Sequence, residues 1–174
     1  IQSFFKENNR MWNREEHLQY TYDYNQFLTK QLKGLDSLFK LKTISKHIYI
    51  YKRKSINYML DKSDEEIKLL IKNNNDIHID SYQTLLLKHV NNQIKPNVIK
   101  SKTGYVFNAK GGFDFVSKNT NFSSNSKEFL LAHYLQGVAK EFSLEDFNQR
   151  FLIFSKTAKD STLIAKFQND YLVD

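Results

Sequence analysis

The sequence contains no cysteine, a single proline and only five glycines. The absence of cysteine excludes disulfide bonds, cysteine-ligated zinc or iron–sulfur sites, and a cysteine nucleophile. No uninterrupted run of about 18 apolar residues is present, so no transmembrane helix is predicted. The scarcity of proline and glycine favours long regular elements over a turn-rich β-sandwich.

The residues that are present fit a folded globular chain. Of the 174 residues, 40% are hydrophobic and 14% are aromatic, which is enough apolar surface to build a sizeable core. We expect a cytoplasmic protein. The chain begins at Ile1 and not at methionine, which indicates a processed or excised product and leaves a removed targeting signal open.

The net charge of +7 is distributed unevenly. Residues 1–60 carry 11 basic and 5 acidic residues, and residues 97–140 carry 6 and 2. Residues 141–174 reverse the balance, with 4 basic and 6 acidic residues. A basic surface attracts nucleic acid, anionic lipid or an acidic partner, although it can also serve solubility alone.

Several segments have the three- and four-residue apolar spacing of helices, each beginning near a residue that can cap it. Gly34 is expected to end the first helix. The predicted helices span residues 13–33, 63–72, 81–92, 127–140, 144–151 and 160–172. The predicted caps are Asn13, Ser63, Ser81, Ser126 and Ser143.

Two segments have the pattern of β-strands. Residues 47–53 alternate strictly and contain β-branched and aromatic side chains, which predicts a strand. Residues 98–117 are predicted to form a β-hairpin whose turn contains Gly111 and Gly112. An additional short strand is expected at residues 77–80.

Together these elements predict an α+β fold that is rich in helix. A small, mainly antiparallel sheet would combine strand 47–53 with the 98–117 hairpin. We expect a basic α+β domain over residues 1–125 and a three-helix subdomain over residues 126–174, packed together as one globular unit.

The segment from Ser37 to Leu60 holds six basic residues and no acidic residue. In a strand, Tyr49 and Tyr51 would share one face and could stack on bases while the cations contact phosphates. The alternative is an edge strand that its lysines protect from aggregation. The residues predicted to bind nucleic acid here are Lys46, Tyr49, Tyr51, Lys52, Arg53 and Lys54. Aromatic residues of the 98–117 hairpin would extend this platform or form the core face of the sheet: Tyr105, Phe107, Phe113 and Phe115.

The last three predicted helices resemble a helix-turn-helix in their order and spacing. This resemblance implies that the third helix enters the major groove of DNA. The net negative charge of the segment argues against that role, and a plain three-helix packing unit is the alternative. The candidate base-contacting residues are Ser155, Lys156, Thr157, Lys159 and Ser161.

Two residue pairs are candidates for catalysis. In a strand, His78 and Asp80 would share a face, so that the carboxylate could set the tautomer and pKa of the imidazole. Arg10 and His17 are separated by six residues, a spacing that resembles the Arg-to-His motif of the HEPN ribonucleases. The histidines show no metal-ligand spacing, so neither a metal nor a cofactor is expected.

The predicted function is non-enzymatic binding of nucleic acid, within a larger replication, mobile-element or defence protein. One alternative is a protein-interaction or secretion-associated module whose basic surface meets an acidic partner. The other is a metal-independent nuclease or toxin that uses one of the two residue pairs.

Overall fold

A computed structural model describes residues 14–73, 76–101 and 104–172 of the chain. These residues form helices joined by short links, together with a two-stranded antiparallel sheet. The elements are α1 (Arg14–Lys40), α2 (Lys46–Met59), α3 (Asp64–Asn73), α4 (Asp80–Gln93), β1 (Val98–Lys100), β2 (Tyr105–Phe107), α5 (Ala109–Lys118), α6 (Ser124–Glu141), α7 (Leu144–Thr157) and α8 (Ser161–Tyr171). The predicted class, a helix-rich α+β fold with a small antiparallel sheet, is confirmed.

The chain divides after Asp61 into two compact units. The first contains α1 and α2, and the second contains all the later elements. The three helices expected within residues 126–174 are therefore found in the same unit as the elements of residues 62–125.

Helices α1 and α2 form an antiparallel helical hairpin. Near the link, the ring of Tyr49 stacks on Phe39 with 4.2 Å between centroids. At the other end, the Tyr24 hydroxyl donates to the Met59 sulfur at 3.7 Å. Two contacts so far apart along both helices fix their relative direction.

The predicted end of the first helix at Gly34 is wrong, because α1 continues through it to Lys40. The helix ends in a Schellman motif, in which the Thr43 amide donates to the Leu38 carbonyl at 3.1 Å and the Lys42 amide donates to Phe39 at 3.0 Å. Lys42 has φ 58°, in the left-handed region where glycine is usual.

The predicted strand at residues 47–53 is also wrong, because these residues belong to α2. The hydroxyl of Ser45 accepts a hydrogen bond from the Ile48 amide at 3.3 Å and so caps the helix. From Tyr51 onward, Ser55 and Tyr58 follow at helical steps, and all three side chains are at least half-buried. A seven-residue alternation fits either period, and packing against α1 selects the helix.

In the second unit, two predicted capping boxes are confirmed. The Ser63 amide and hydroxyl both donate to the Glu66 carboxylate, at 2.9 and 2.8 Å, ahead of α3. The Ser143 hydroxyl donates to Asp146 at 2.7 Å and accepts from its amide at 3.1 Å, which starts α7.

Two other predicted caps are wrong. Helix α4 begins at Asp80, one residue before the predicted cap Ser81. Helix α6 is capped by Ser123, whereas Ser126 is fully buried and its hydroxyl lies 3.2 Å from that of Tyr82. A serine close to a helix start is therefore not always its cap.

Only the first half of the predicted 98–117 hairpin contains strands, and the predicted pairing around Gly111–Gly112 is wrong. Strands β1 and β2 pair with each other, Val98 opposite Phe107, around a turn in which Gly104 has φ 131°. The predicted second strand is instead helix α5, capped by the Asn108 side chain, which accepts from the Gly111 amide at 2.8 Å. The Gly111–Gly112 pair thus lies within a helix and forms no turn.

Helices α5 and α6 pack closely because glycine residues lie where the two helices touch. A Cβ atom on Gly112 would lie 2.5 Å from the Tyr134 ring, and one on Gly137 would lie 2.9 Å from the Ala109 Cβ. Tyr134 is almost fully buried, and its hydroxyl donates to Asn91 at 2.8 Å. Burial raises the pKa of Tyr134. Close packing therefore explains why glycine is needed at 112.

Helices α5 and α7 are joined by a network of ion pairs. Arg150 donates to Asp114 at 2.8 Å and lies 3.6 Å from Asp146, while Lys110 lies 3.3 Å from Asp146. The Arg150 side chain is only 12% exposed. Hydrogen bonds from Ser143 and Lys110 lower the pKa of Asp146, so this carboxylate is ionised at neutral pH.

The C-terminal three-helix unit, α6 to α8, is confirmed. Helix α7 extends beyond its predicted end at residue 151, so Phe151 and Phe154 are both buried within it, and Phe154 contacts Phe167 of α8. The link between α7 and α8 is fixed by Glu128, whose carboxylate accepts from the amides of Lys159 at 3.1 Å and Asp160 at 2.9 Å. No helix among the described residues is long and apolar enough to cross a membrane.

Candidate functional site

The acid-free segment of the sequence forms the end of α1, the link and most of α2. Its six basic side chains are all exposed, and we call them the basic surface. The basic surface consists of Lys40, Lys42, Lys46, Lys52, Arg53 and Lys54. Lys46, Lys52, Arg53 and Lys54 were predicted from the sequence to bind nucleic acid. The other two belong to the same acid-free segment: Lys40 ends α1, and Lys42 lies in the link to α2.

One carboxylate of α1 contacts two side chains of α2, one of which belongs to the basic surface. Asp36 accepts a hydrogen bond from the Tyr49 hydroxyl at 2.8 Å and forms an ion pair with Arg53 at 2.6 Å. The Arg53 guanidinium also donates to the Tyr49 hydroxyl. The hydrogen bond with Tyr49 and the charge of Asp36 raise the pKa of Arg53, which stays charged at every relevant pH.

The two tyrosines predicted to stack on bases are not displayed as a platform. Tyr49 is half-buried, with its ring stacked on Phe39 and its hydroxyl hydrogen-bonded. Tyr51 is half-buried on another side of α2, because the helix separates residues that a strand would align. Base stacking by Tyr49 and Tyr51 was predicted on the assumption that they lie in a strand. The positive charge of the segment does not depend on that assumption.

Four lysines of the basic surface form no ion pair with any residue that the structure describes: Lys40, Lys42, Lys46 and Lys52. Large apolar side chains lie among them. Leu41 is 72% exposed and Ile48 is 50% exposed, and Leu38 and Ile50 are exposed as well. The surface is therefore both cationic and partly apolar.

The aromatic residues of the predicted β-hairpin lie in the second unit, on β2 and α5. Tyr105 is exposed on β2, whereas Phe113 is buried in α5. Phe107 stacks on Tyr134 with 6.1 Å between centroids, and Phe115 contacts Phe122. Only Phe113 of the four is buried, and Phe113 and Phe115 belong to a helix, so these rings do not form the core face of a sheet.

The residues that the helix-turn-helix resemblance selected lie at the end of α7 and the start of α8. Lys156, Thr157 and Lys159 are exposed, and Thr157 donates to the Ile153 carbonyl at 2.9 Å within α7. The link from 158 to 160 is short, as the resemblance requires. Helix α8 itself contains one lysine, Lys166, and one acid, Asp170, so it carries no net charge.

The structure bears on one of the two predicted catalytic pairs, that of His78 and Asp80. His78 lies in a turn and Asp80 begins α4, so the strand face that would join them is not formed. His17 is exposed on α1, where its backbone carbonyl accepts from the Thr21 hydroxyl at 2.9 Å. Arg10 lies outside the described residues.

Metal ligands and relatives of known function are two further indicators of activity. Within the described ranges, no group of three or more His, Cys, Asp or Glu side chains could hold a metal ion. No protein-family model, no curated protein and no solved structure matches this chain. A function is therefore inferred from the charge and exposure of the basic surface.

Proposed function

We propose that this protein binds nucleic acid without altering it chemically, and that the basic surface of the α1–α2 hairpin makes the contact. The observation that supports this proposal is the exposure of all six basic side chains of a segment that contains no acid. Unpaired lysines repel one another, and a polyanion relieves that repulsion while releasing its own counterions.

Two local features support a ligand-binding role over a structural one. Lys42 occupies a left-handed position where glycine would cost less conformational energy. Lys46 lies in the first turn of α2, which lacks acidic residues, although acids are favoured beside the positive end of a helix. Both lysines are therefore unfavourable for folding, and the binding of an anionic ligand explains their presence.

The expected mode of binding is electrostatic and nearly independent of base sequence. Lysines contact phosphate oxygens, which are the same for every base. Tyr49 is engaged with Phe39 and Asp36, so base stacking is not part of this mode. We therefore expect duplex DNA, single-stranded DNA and RNA to bind with affinities that fall steeply as salt rises.

The test is fluorescence anisotropy with labelled duplex DNA, single-stranded DNA and single-stranded RNA across a salt series. The variant Lys46→Gln/Lys52→Gln removes two charges from the basic surface, and Lys88→Gln/Lys140→Gln removes two exposed charges from the second unit. The first should reduce the slope of log affinity against log salt by about 1.4–1.8, at about 0.7–0.9 per lost phosphate contact. The second should leave the slope unchanged.

Two results would contradict the proposal. Equal losses from both double variants would mean that binding follows net charge alone. Absence of binding to all three ligands at low salt would exclude nucleic acid altogether. A further double variant, Lys156→Gln/Lys159→Gln, separates the basic surface from the helix-turn-helix resemblance, because only the latter places these two lysines on DNA.

The second candidate function is binding of an acidic protein partner. The exposed Leu41, Ile48 and Ile50 favour it, since apolar side chains amid charge are typical of protein interfaces and contribute little to phosphate contacts. The variant Leu41→Ser/Ile48→Ser distinguishes the two functions. It should leave nucleic-acid affinity nearly unchanged, whereas it should abolish binding to a protein partner that buries these side chains.

A further inference from the structure

A groove of about 310 Å³ lies between α6 and α8 in the second unit. Its walls are two stripes of residues at three- and four-residue spacing, one on each helix. The stripe on α6 is Phe129, Ala132, His133 and Gln136, and that on α8 is Leu163, Lys166, Phe167, Asp170 and Tyr171. A volume of this size suits a small organic molecule.

The apolar part of the groove is built from aromatic rings that the fold holds in place. Phe167 is buried and contacts both Phe147 and Phe154 of α7, with ring centroids 6.4 and 5.4 Å apart. On the other wall, Phe129 stacks on His133 at 6.3 Å. A flat ring entering the groove would therefore meet an aromatic side chain on each wall.

The polar part consists of groups without partners in the described chain. Lys166 and Asp170 lie one helical turn apart on α8, yet they form no ion pair with each other, and both are exposed at the groove. The side chains of His133 and Gln136 face them from α6 without a hydrogen bond to any described residue. Desolvation lowers the pKa of His133, so its ring is neutral at physiological pH.

We infer that this groove binds an aromatic α-amino acid. The ring of the ligand would lie between Phe129 and Phe167, its carboxylate would accept from Lys166, and its ammonium group would donate to Asp170. This inference is independent of the basic surface and of the function proposed for it.

The charge pattern selects this class of ligand over other aromatic molecules. A cation and an anion about 5–6 Å apart at their Cβ atoms match a zwitterion, whose two charged groups are adjacent. A nucleotide would place its phosphate beside Asp170, and like charges at that distance repel. An uncharged ring would leave both charged side chains without a partner.

Isothermal titration calorimetry with the whole chain tests the inference directly. L-Tryptophan and L-phenylalanine should bind, whereas tryptamine, which lacks the carboxylate, and indole-3-propionate, which lacks the ammonium group, should bind about tenfold more weakly. Lys166→Gln should weaken tryptophan binding about tenfold while leaving tryptamine binding unchanged. Asp170→Asn should do the reverse, weakening tryptophan binding but not that of indole-3-propionate.

Lys156→Gln is the matched control, because it removes an exposed lysine of α7 outside the groove. Circular dichroism of each variant verifies that the helices remain folded, and ring proton shifts of Phe129 and Phe167 locate the ligand. The inference is overturned if neither amino acid binds at millimolar concentration. It is also overturned if tryptamine or indole-3-propionate binds as tightly as tryptophan, or if Lys156→Gln weakens binding as much as Lys166→Gln.

Discussion

The substitution Gly112→Ala tests the close packing of α5 on α6. An added methyl group would lie 2.5 Å from the Tyr134 ring, about 1 Å inside ordinary contact distance. The ring has little freedom to move, because it is buried, stacked on Phe107 and hydrogen-bonded to Asn91. The helices must therefore separate, or the ring must leave its favoured conformation.

Two opposing effects set the magnitude. Replacing glycine by alanine within a helix stabilises it by about 1 kcal/mol. Overpacking of a tight core costs about 1–3 kcal/mol, and the fixed ring places Gly112 toward the upper part of that range. We expect the free energy of unfolding of the second unit to fall by about 1–2 kcal/mol. Gly34→Ala is the matched control, since a Cβ atom there meets nothing within 4 Å and should stabilise α1 by up to about 1 kcal/mol.

The assay is urea unfolding followed by circular dichroism, with amide hydrogen exchange to separate α1 from α5. The double variant Gly112→Ala/Tyr134→Leu should recover part of the loss due to Gly112→Ala, with a coupling of about 0.5 kcal/mol or more, because the clash is with the ring itself. If Gly112→Ala stabilises the protein as Gly34→Ala does, the packing of Tyr134 over Gly112 is incorrect.

Three further predictions concern the helix link, the ion network and a buried histidine. Lys42→Gly should stabilise the α1–α2 hairpin by about 1 kcal/mol in urea unfolding, since φ 58° strains a lysine, and should weaken nucleic-acid binding in anisotropy measurements; a loss of stability would contradict the strain. Arg150→Met should lower the free energy of unfolding by about 1–3 kcal/mol, because it leaves the carboxylates of Asp114 and Asp146 without their shared cation. The partial exposure of Asp114 limits this cost. An unchanged urea midpoint would mean that the ion network does not stabilise the fold. Burial, together with the nearby positive charge of Lys68, outweighs the Asp64 carboxylate and lowers the pKa of His89 below 6.5. The unfolded chain therefore takes up this proton first, and stability should fall as pH drops below about 6.5. His89→Gln should flatten the dependence of the urea midpoint on pH between about 7 and 5.5, and an unchanged slope would contradict this assignment.

Short-range signals in the sequence predicted part of the fold correctly. The capping boxes at Ser63 and Ser143 were identifiable because both partners lie within one helical turn of each other. The helices of the C-terminal unit were identifiable for a similar reason, since their apolar spacing is long and regular.

The errors arose where distant residues decide the local structure. The alternation at 47–53 fits a strand or a helix, and contacts with Phe39 and Asp36 select the helix. The Gly111–Gly112 pair has the composition of a turn, but Gly112 is required by the approach of Tyr134, 22 residues further along the chain. Sequence composition does not distinguish a glycine that is needed for backbone freedom from one that is needed for space.

The same limit applies to the candidate sites. The charge run that defines the basic surface is visible in the sequence, because charge does not depend on conformation. The exposure of each side chain does depend on conformation. Tyr49 is not available to stack on bases because it lies in a helix that packs against α1. The groove between α6 and α8 was not predicted, since its two walls are brought together only by tertiary packing.

In the α1–α2 hairpin, Asp36 and a bound phosphate compete for Arg53. Arg53 donates to this carboxylate through Nη1, so a phosphate that takes the same donor displaces Asp36. The released Asp36 keeps only the Tyr49 hydroxyl among these contacts, and the hairpin loses one of the interactions that fix α2 on α1. Affinity and hairpin rigidity are therefore thermodynamically linked: a ligand that uses Arg53 loosens the helices that present it, whereas one that contacts only the lysines does not.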